Sequence, residues 1–231
     1  MKTIDGIKVI AFDADDTLWV NETFFREAEK QFAAMLGEYA EEEEVYRILY
    51  EVEMANMPLY GYGIKGFMLS LIETANLISG YRVKPKQIDA ILQVGKDMLN
   101  KPVELLGGVE EVLQKLAGQY RLIVATKGDL LDQERKLHKS GLLKYFHHIE
   151  VMSDKNPTSY TSLVKHLDIE AHEFMMIGNS MKSDILPILD IGGWGIHVPF
   201  HTTWHHEEVA QQVDSDRFVE VEQLLEVLAY L

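Results

Sequence analysis

The sequence contains no cysteine, which excludes disulfide bonds and metal sites with thiolate ligands. Basic residues are also scarce: 22 lysines and arginines stand against 37 aspartates and glutamates, for a formal net charge of −15. A negative surface argues against non-specific binding to nucleic acid and against docking on an anionic membrane. A phosphorylated substrate is not excluded, because the local charge at a metal site can override the field of the whole protein.

Long apolar runs are absent as well. No stretch is long enough to span a bilayer. The N-terminal segment lacks the apolar core of a signal peptide, because its short apolar run stops at Asp13. We therefore expect a soluble, cytoplasmic protein that binds neither membrane nor nucleic acid. Hydrophobic residues make up 47% of the 231 residues, which suits one large domain or one domain with an insert.

The hydrophobic pattern predicts an α/β fold with a doubly wound, Rossmann-type parallel sheet. Apolar runs typical of buried strands alternate with helical patterns, which indicates a sheet covered by helices on both faces. The predicted strands are residues 7–12, 121–126, 147–155 and 194–198, together with the run from Phe174 to the Gly-Asn-Ser sequence. A final helix is predicted at residues 221–229.

Between Asn21 and Lys101 the pattern is helical, with no convincing strand. We assign residues 1–18 and 103–231 to the α/β core and residues 19–102 to an inserted, all-helical domain. Within this insert, residues 56–67 contain three glycines and are predicted to form a loop.

Polar side chains follow the predicted strands at their carboxyl ends. Asp13 and Asp15 follow the first strand, Thr126 ends the second, Lys155 ends the third, and Asp184 lies beyond the fourth. In a parallel sheet these ends share one edge, where ligands bind. Carboxylates packed closely repel one another unless a cation or a proton intervenes. The set therefore predicts a divalent metal and the parts that phosphoryl transfer requires.

Each of these residues also has a structural interpretation. An aspartate-rich segment could be a turn, and we interpret Asp16 as a helix or turn cap. Thr126 by itself favours a structural role, and Lys155 by itself a place on the surface. Asp184 could cap the helix that follows it. Only its occurrence in the set favours a functional role for Thr126. For the aspartate-rich segment the functional interpretation is favoured, because carboxylates at the edge of a buried strand would be costly without a cation.

Four segments in this order resemble the motifs of the haloacid dehalogenase superfamily. DADDTLW matches the D-x-D-x-T signature of the first motif, and IVATKGD is similar to the second. SDKNPTSY resembles the third motif and MMIGNSMKSD the fourth. The helical insert between the first two motifs resembles the type-one cap of this family. The resemblance covers most of the chain outside the insert and implies the fold of that superfamily.

The resemblance also implies catalytic roles. Asp13 would be the nucleophile that forms an aspartyl-phosphate, and Asp15 would be the general acid and then the general base. Thr126 would hydrogen-bond the phosphoryl group, and Lys155 would hold Asp13 and the phosphoryl charge in place. Lys127, beside Thr126, is the alternative cation for the substrate.

The resemblance implies a metal site too, in which Mg²⁺ is bound by Asp13, the backbone carbonyl of Asp15 and Asp184. Asn179 could orient a metal-bound water. The dehalogenase branch of the family lacks the second aspartate of the first motif, because a halide leaving group needs no proton. The presence of Asp15 therefore favours a phosphatase.

We accordingly expect a Mg²⁺-dependent phosphomonoester hydrolase whose substrate is a small phosphorylated metabolite, such as a nucleotide, a sugar phosphate or a glycolate-type phosphate. A phosphomutase or a phosphonate hydrolase on the same core is an alternative, and so is a weakly catalytic module that binds phosphate and metal. The oligomeric state, monomer or homodimer, cannot be read from the sequence.

Two further segments allow more than one interpretation. In the glycine-rich stretch 56–67, Lys65 and the nearby aromatic residues could contact the substrate, or the stretch could be a helix connection with core aromatics. The histidines between His201 and His206 are not at a recognised ligand spacing. A solvated loop, or a packing site for Trp204, is the favoured interpretation there.

Overall fold

A six-stranded parallel sheet organises the fold, which confirms the predicted α/β class. The computed structural model describes residues 3–202, 204–207 and 213–231. In this part of the chain the strand order is β3-β2-β1-β4-β5-β6, with every neighbouring pair parallel. The strands are β1 Val9–Phe12, β2 Arg121–Lys127, β3 His148–Met152, β4 Phe174–Gly178, β5 Trp194–His197 and β6 Phe218–Glu220.

The central strand β1 is buried on both faces. Ile10 and Phe12 contribute to the apolar core on one face of the sheet, and Val9 and Ala11 contribute to the core on the other. All four are completely buried. Successive side chains of a strand point to opposite faces, so a strand covered on both sides needs a continuous apolar run, and VIAF is such a run.

Eight α-helices accompany these strands in the described ranges. They are α1 Glu22–Met35, α2 Glu42–Tyr60, α3 Ile64–Ser79, α4 Pro85–Asn100, α5 Val109–Leu116, α6 Leu130–Ser140, α7 Pro157–His166 and α8 Leu186–Asp190. Shorter 3₁₀ segments occur at Leu143–Tyr145, Ala171–Glu173, His205–Glu207 and Leu224–Ala229, and a π-helical turn at Met181–Ile185. Among the helices of the described ranges, none combines the length and apolar character needed to cross a bilayer.

The chain divides into two compact units. The first comprises Met1–Glu22, Val103–Lys127 and Gln133–Leu231 and contains the sheet; the second comprises Thr23–Pro102 with Gly128–Asp132. The second unit is helical and has its own apolar core, which includes Phe32, Leu71 and Ile91, all fully buried. Within this unit, the Lys65 ammonium pairs with Asp129 at 2.9 Å.

The prediction of a loop over residues 56–67 was wrong at both ends. Helix α2 continues through Pro58 to Tyr60, and α3 already begins at Ile64. Pro58 lies in the last turn of α2, where it lacks the N–H that would donate to Met54 O. The buried Asn56 Nδ2 donates to Ser70 Oγ at 3.2 Å and to Glu73 Oε2 at 2.8 Å, which fixes this part of α2 against α3.

The helix predicted at residues 221–229 is present as a shorter 3₁₀ segment, and the strand that precedes it was not predicted. The structure has strand β6 at Phe218–Glu220, followed by a 3₁₀ segment at Leu224–Ala229. Val221 N donates to His197 O at 3.0 Å and so continues the pairing along β5. A strand of three residues on a sheet edge has too few side chains to show a two-residue period, which explains why the sequence pattern missed it.

Gly178 ends β4 at a point where a side chain cannot be accommodated. A Cβ atom on Gly178 would overlap the Asp184 carboxylate, which belongs to the π-helical turn Met181–Ile185. The turn begins with Ser180, whose hydroxyl accepts from Ser183 N at 3.0 Å. The absence of a side chain at Gly178 therefore lets Asp184 pack against the end of β4.

We predict that Gly178→Ala lowers the free energy of unfolding by about 1–3 kcal/mol, the usual cost of forcing a methyl group into a packed site. Gly107→Ala is the matched control, because a Cβ there meets nothing within 4 Å, and its effect should stay within about 0.5 kcal/mol. Urea unfolding of both variants measures the difference. Equal midpoints for the two variants would contradict the packing described here.

Candidate active site

The Lys155 ammonium lies between two buried carboxylates at the carboxyl edge of the sheet. Its Nζ is 2.5 Å from Asp13 Oδ1 and 2.6 Å from Asp184 Oδ1. The side chains of Lys155 and Asp184 are each 1% exposed, and that of Asp13 is 10% exposed. Three residues that are far apart in the sequence, and that were predicted as site residues, are thus brought together.

Local structure explains how Asp13 and Lys155 reach this position. Asp13 directly follows β1, and its backbone N–H donates to Ile177 O of β4 at 2.9 Å. Lys155 follows β3 and precedes α7. Asn156 caps that helix by accepting from Ser159 N at 3.0 Å, and Pro157 occupies the first turn, where a missing N–H has no cost.

Charge and burial together determine the protonation of this group. The pKa of Asp13 is raised to about 7, mainly by burial; the Lys155 ammonium acts in the opposite direction, and the Asp184 carboxylate adds to the rise. Burial alone would lower the pKa of Lys155, but the Asp13 and Asp184 carboxylates raise it above its usual value. Lys155 is therefore charged at neutral pH. A single ammonium balances only one carboxylate, so one negative charge remains within this group whenever Asp13 and Asp184 are both ionised.

The Asp15 carboxylate is held by three donors. Its Oδ1 accepts from Trp19 Nε1 at 2.7 Å and from Lys136 Nζ at 2.6 Å, and its Oδ2 accepts from Gln133 Nε2 at 2.8 Å. The side chain of Asp15 is 24% exposed, so, unlike Asp13, it is open to water. This arrangement fixes the direction of the carboxylate and leaves part of it exposed to solvent.

Asp16 is a helix cap, as the sequence indicated. Its Oδ1 accepts from Asn21 N at 2.8 Å and its Oδ2 from Glu22 N at 2.9 Å, at the start of α1. The residue has a positive φ of 63°, a conformation that aspartate tolerates better than most residues. Its carboxylate is occupied by the backbone and does not join the group around Lys155.

The oxygens of this site suit a hard divalent cation such as Mg²⁺. With its amide group oriented to satisfy its neighbours, Asn179 places its nitrogen 3.2 Å from the carbonyl oxygen of Asp15 and 3.3 Å from Asp13 Oδ2. The Asp15 carbonyl oxygen and Asp13 Oδ2, both predicted ligands, therefore lie close together. The Asp184 carboxylate lies near them, because Asp184 and Asp13 both accept from the Lys155 ammonium. Mg²⁺ prefers carboxylate and carbonyl oxygens with water in the remaining positions, and it would balance the remaining negative charge.

No group of three or more histidine, cysteine or acidic side chains has metal-binding geometry in the described residues. The set formed by Asp13, Asp184 and the Asp15 carbonyl contains only two side-chain ligands. It therefore depends on a backbone oxygen and on water molecules. Metals that require histidine or thiolate ligands are not suited to it.

Three other predicted site residues have contacts of their own. Thr126 is buried at the end of β2, and its hydroxyl donates to Lys127 O at 3.2 Å. The Lys127 ammonium pairs with Glu207 at 2.5 Å and donates to Ser183 Oγ at 2.8 Å. Lys65 lies on α3 in the helical unit, where it pairs with Asp129. Contacts of these three residues with a substrate stay predictions.

Sequence reasoning missed the residues that orient the predicted ones. Trp19, Gln133 and Lys136 bind Asp15, and Glu207 binds Lys127. Trp19 is the last residue of the DADDTLW segment that carries the first motif, so its position was a usable signal. Gln133 and Lys136 lie three residues apart on α6, one helical turn, and only the fold shows that this turn faces Asp15. Glu207 is separated from every motif.

In the histidine-rich stretch, the rings of Trp204 and His206 lie 5.0 Å apart, and the Lys182 ammonium donates to His206 O at 2.8 Å. Thr203 and the side chain of His205 lie outside the described residues. The packing role favoured for Trp204 stays a prediction.

Comparison with known proteins identifies the family. Residues 7–192 match the family model of haloacid dehalogenase-like hydrolases. A haloacid dehalogenase-like family hydrolase from Xanthomonas campestris is 38% identical, with a TM-score of 0.86, over 97% of this chain and 94% of that chain. No relative was found among curated proteins.

Two more distant structures show the same fold. A 2-haloacid dehalogenase from Pseudomonas syringae pv. Tomato is 19% identical, with a TM-score of 0.65 and coverage of 97% of both chains. The putative hydrolase YfnB from Bacillus subtilis, bound to magnesium, is 16% identical with a TM-score of 0.65, over 96% of this chain and 97% of that chain.

The family that the four motifs predicted is thereby confirmed, together with its parallel sheet and helical insertion. The chain belongs to the haloacid dehalogenase-like hydrolases.

Proposed function

We propose that the protein is a Mg²⁺-dependent phosphomonoester hydrolase that acts through an aspartyl-phosphate on a small phosphorylated metabolite. The observation that carries the proposal is the group formed by Asp13, Lys155 and Asp184, with the Asp15 carboxylate beside it. This group combines an oxygen nucleophile, a fixed cation, metal ligands and a separate acid. Phosphoryl transfer relies on positioning and charge stabilisation, which such a group supplies.

In the first step, a carboxylate oxygen of Asp13 bonds to phosphorus while the bond from phosphorus to the ester oxygen breaks. Asp15 gives a proton to the leaving alcohol. Lys155 donates to Asp13 and keeps its carboxylate in a fixed direction. Thr126 lies near the carboxyl end of β2, at the same edge of the sheet, where its hydroxyl would donate to a phosphoryl oxygen.

In the second step, Asp15 takes a proton from water, and the water oxygen attacks phosphorus. The bond to Asp13 breaks, inorganic phosphate leaves, and the Asp13 carboxylate is restored. The donors from Trp19, Gln133 and Lys136 direct the Asp15 carboxylate in both steps. Mg²⁺ held by Asp13, the Asp15 carbonyl and Asp184 would supply the charge neutralisation that lets two anions approach.

Asp15 favours this activity over dehalogenation, because displacement of a halide requires no proton. A phosphomutase would need Asp15 as well, but it would return the phosphoryl group to a sugar phosphate in place of water. An assay that measures phosphate and halide release over a panel of phosphate esters, phosphonates and haloacids distinguishes these reactions and identifies the substrate class by kcat/KM.

Asp13→Asn should lower the rate of hydrolysis of an aryl phosphate in Mg²⁺ by about 10³-fold or more, because it removes the nucleophile. Asp5→Asn is the matched control: Asp5 is exposed and lies outside the site, so it should keep the wild-type rate. Full activity of Asp13→Asn would show that another group attacks phosphorus.

Asp15→Asn should accumulate the phosphorylated protein when the substrate is an aryl phosphate. An aryl oxide leaves without a proton, so the first step proceeds, but no base remains to activate water for the second. Intact-mass measurement should show one added phosphoryl group per chain, and a stoichiometric burst of product should precede slow turnover. The double variant with Asp13→Asn should show neither signal. Normal steady turnover of Asp15→Asn would exclude its role as the base.

A further inference from the structure

Glu207 lies outside every motif, yet its carboxylate makes three strong contacts next to the site. Its Oε1 pairs with the Lys127 ammonium at 2.5 Å. Its Oε2 accepts from Ser183 Oγ at 2.6 Å and also from Ser180 Oγ. The side chain is 12% exposed, so these contacts replace most of its hydration.

The partners of Glu207 lie on both sides of the nucleophile strand. Lys127 ends β2, whereas Ser180 and Ser183 follow β4. Strands β2 and β4 are the two neighbours of β1, which carries Asp13 at its end. Glu207 therefore joins the two strand ends that flank the nucleophile. The direct contact of Lys127 Nζ with Ser183 Oγ, at 2.8 Å, makes the same connection.

The two serines also determine the position of Asp184. Ser180 N donates to Asp184 Oδ2 at 3.0 Å. Ser180 Oγ accepts from Ser183 N at 3.0 Å and so starts the turn that contains Asp184. By accepting from both serine hydroxyls, Glu207 fixes their rotamers. The direction of the Asp184 carboxylate, a predicted metal ligand, is thus coupled to Glu207 through two hydrogen bonds.

The contacts of Glu207 favour the ionised form of its carboxyl group. Burial by itself would raise the pKa of this carboxyl, but the Lys127 charge and the hydrogen bonds from Lys127, Ser180 and Ser183 lower it to about 2. A charged, buried carboxylate with three donors differs from the exposed ion pairs of this protein. Lys115–Glu111, for example, has both side chains more than half exposed, and such pairs contribute little.

We propose that Glu207 is a positioning residue, which holds the Ser180–Asp184 turn and Lys127 in the arrangement that the metal site requires. The proposal rests on the proposed function, because it concerns the same Mg²⁺ site. Groups that orient metal ligands typically change metal affinity by about 10–100-fold when they are removed. Glu207 would act in this way through Ser180, whose hydroxyl donates to Glu207 and whose backbone N–H donates to Asp184.

The test uses Glu207→Ala and Glu207→Gln in the full-length protein. In the absence of substrate, the rise in Tm on titration with MgCl₂ gives the Mg²⁺ affinity of each variant. Glu207→Ala should weaken this affinity by about 10-fold or more. Glu207→Gln keeps an acceptor for the serines, so it should weaken the affinity less. Ser183→Ala, which removes a single donor, should have the smallest effect.

Glu173→Gln is the matched control, because it removes the ion pair with Lys8, in which Glu173 is 16% exposed. It should change Tm without changing the Mg²⁺ affinity. If the role of Glu207 were only structural, its variants would behave like the control, with a lower Tm and wild-type Mg²⁺ affinity. That outcome, or a rise in kcat/KM on removal of Glu207, would overturn the proposal.

The two hypotheses fail in different ways. If wild-type protein showed neither a Mg²⁺-dependent rise in Tm nor phosphate release, the proposed function would be wrong, and the role of Glu207 would fall with it. If wild-type protein bound Mg²⁺ and hydrolysed phosphate esters but all Glu207 variants bound Mg²⁺ equally well, only the role of Glu207 would be wrong.

Discussion

The contact of one buried ammonium with two buried carboxylates is the constraint on which the site depends. Asp13 and Asp184 come from adjacent strand ends, and without Lys155 between them their charges would repel in a region that water hardly reaches. Removal of one partner of such a buried group typically costs about 3–5 kcal/mol, because a charge is left uncompensated. The ammonium balances only one carboxylate, so in the proposed mechanism this arrangement would hold Asp13 in position as the nucleophile and still attract a divalent cation.

Much of this site was predictable because the carboxyl ends of parallel strands lie at one edge of the sheet, so residues that follow different strands come close together. The apolar run Val9–Phe12 indicated a strand buried on both faces, so Asp13 had to lie at the sheet edge. Similar runs placed Lys155 and Asp184 at the same edge. Asn156 and Pro157 after Lys155 are explained by the start of α7, where the asparagine caps the helix and the proline occupies its first turn.

The orienting contacts were not predictable, because they join elements whose relative rotation depends on packing. Lys136 reaches Asp15 only because one turn of α6 faces the first motif. Glu207 pairs with Lys127 although the two residues are far apart in the sequence, and no periodic pattern in the sequence indicates that they are in contact. The loop predicted at residues 56–67 was wrong for a related reason. Its glycines indicated an interruption, whereas α2 continues to Tyr60 and the buried Asn56 packs against α3.

The central claim is that Asp13 accepts the phosphoryl group beside a metal held by Asp184. A crystal structure of the protein with Mg²⁺ and beryllium fluoride, an analogue of the phosphoryl group, tests it most directly. The account predicts fluoroberyllate bonded to a carboxylate oxygen of Asp13, Lys155 in contact with it, and Mg²⁺ bound by Asp13, the Asp15 carbonyl and Asp184. Unmodified Asp13, with Mg²⁺ bound to other residues, would contradict the account.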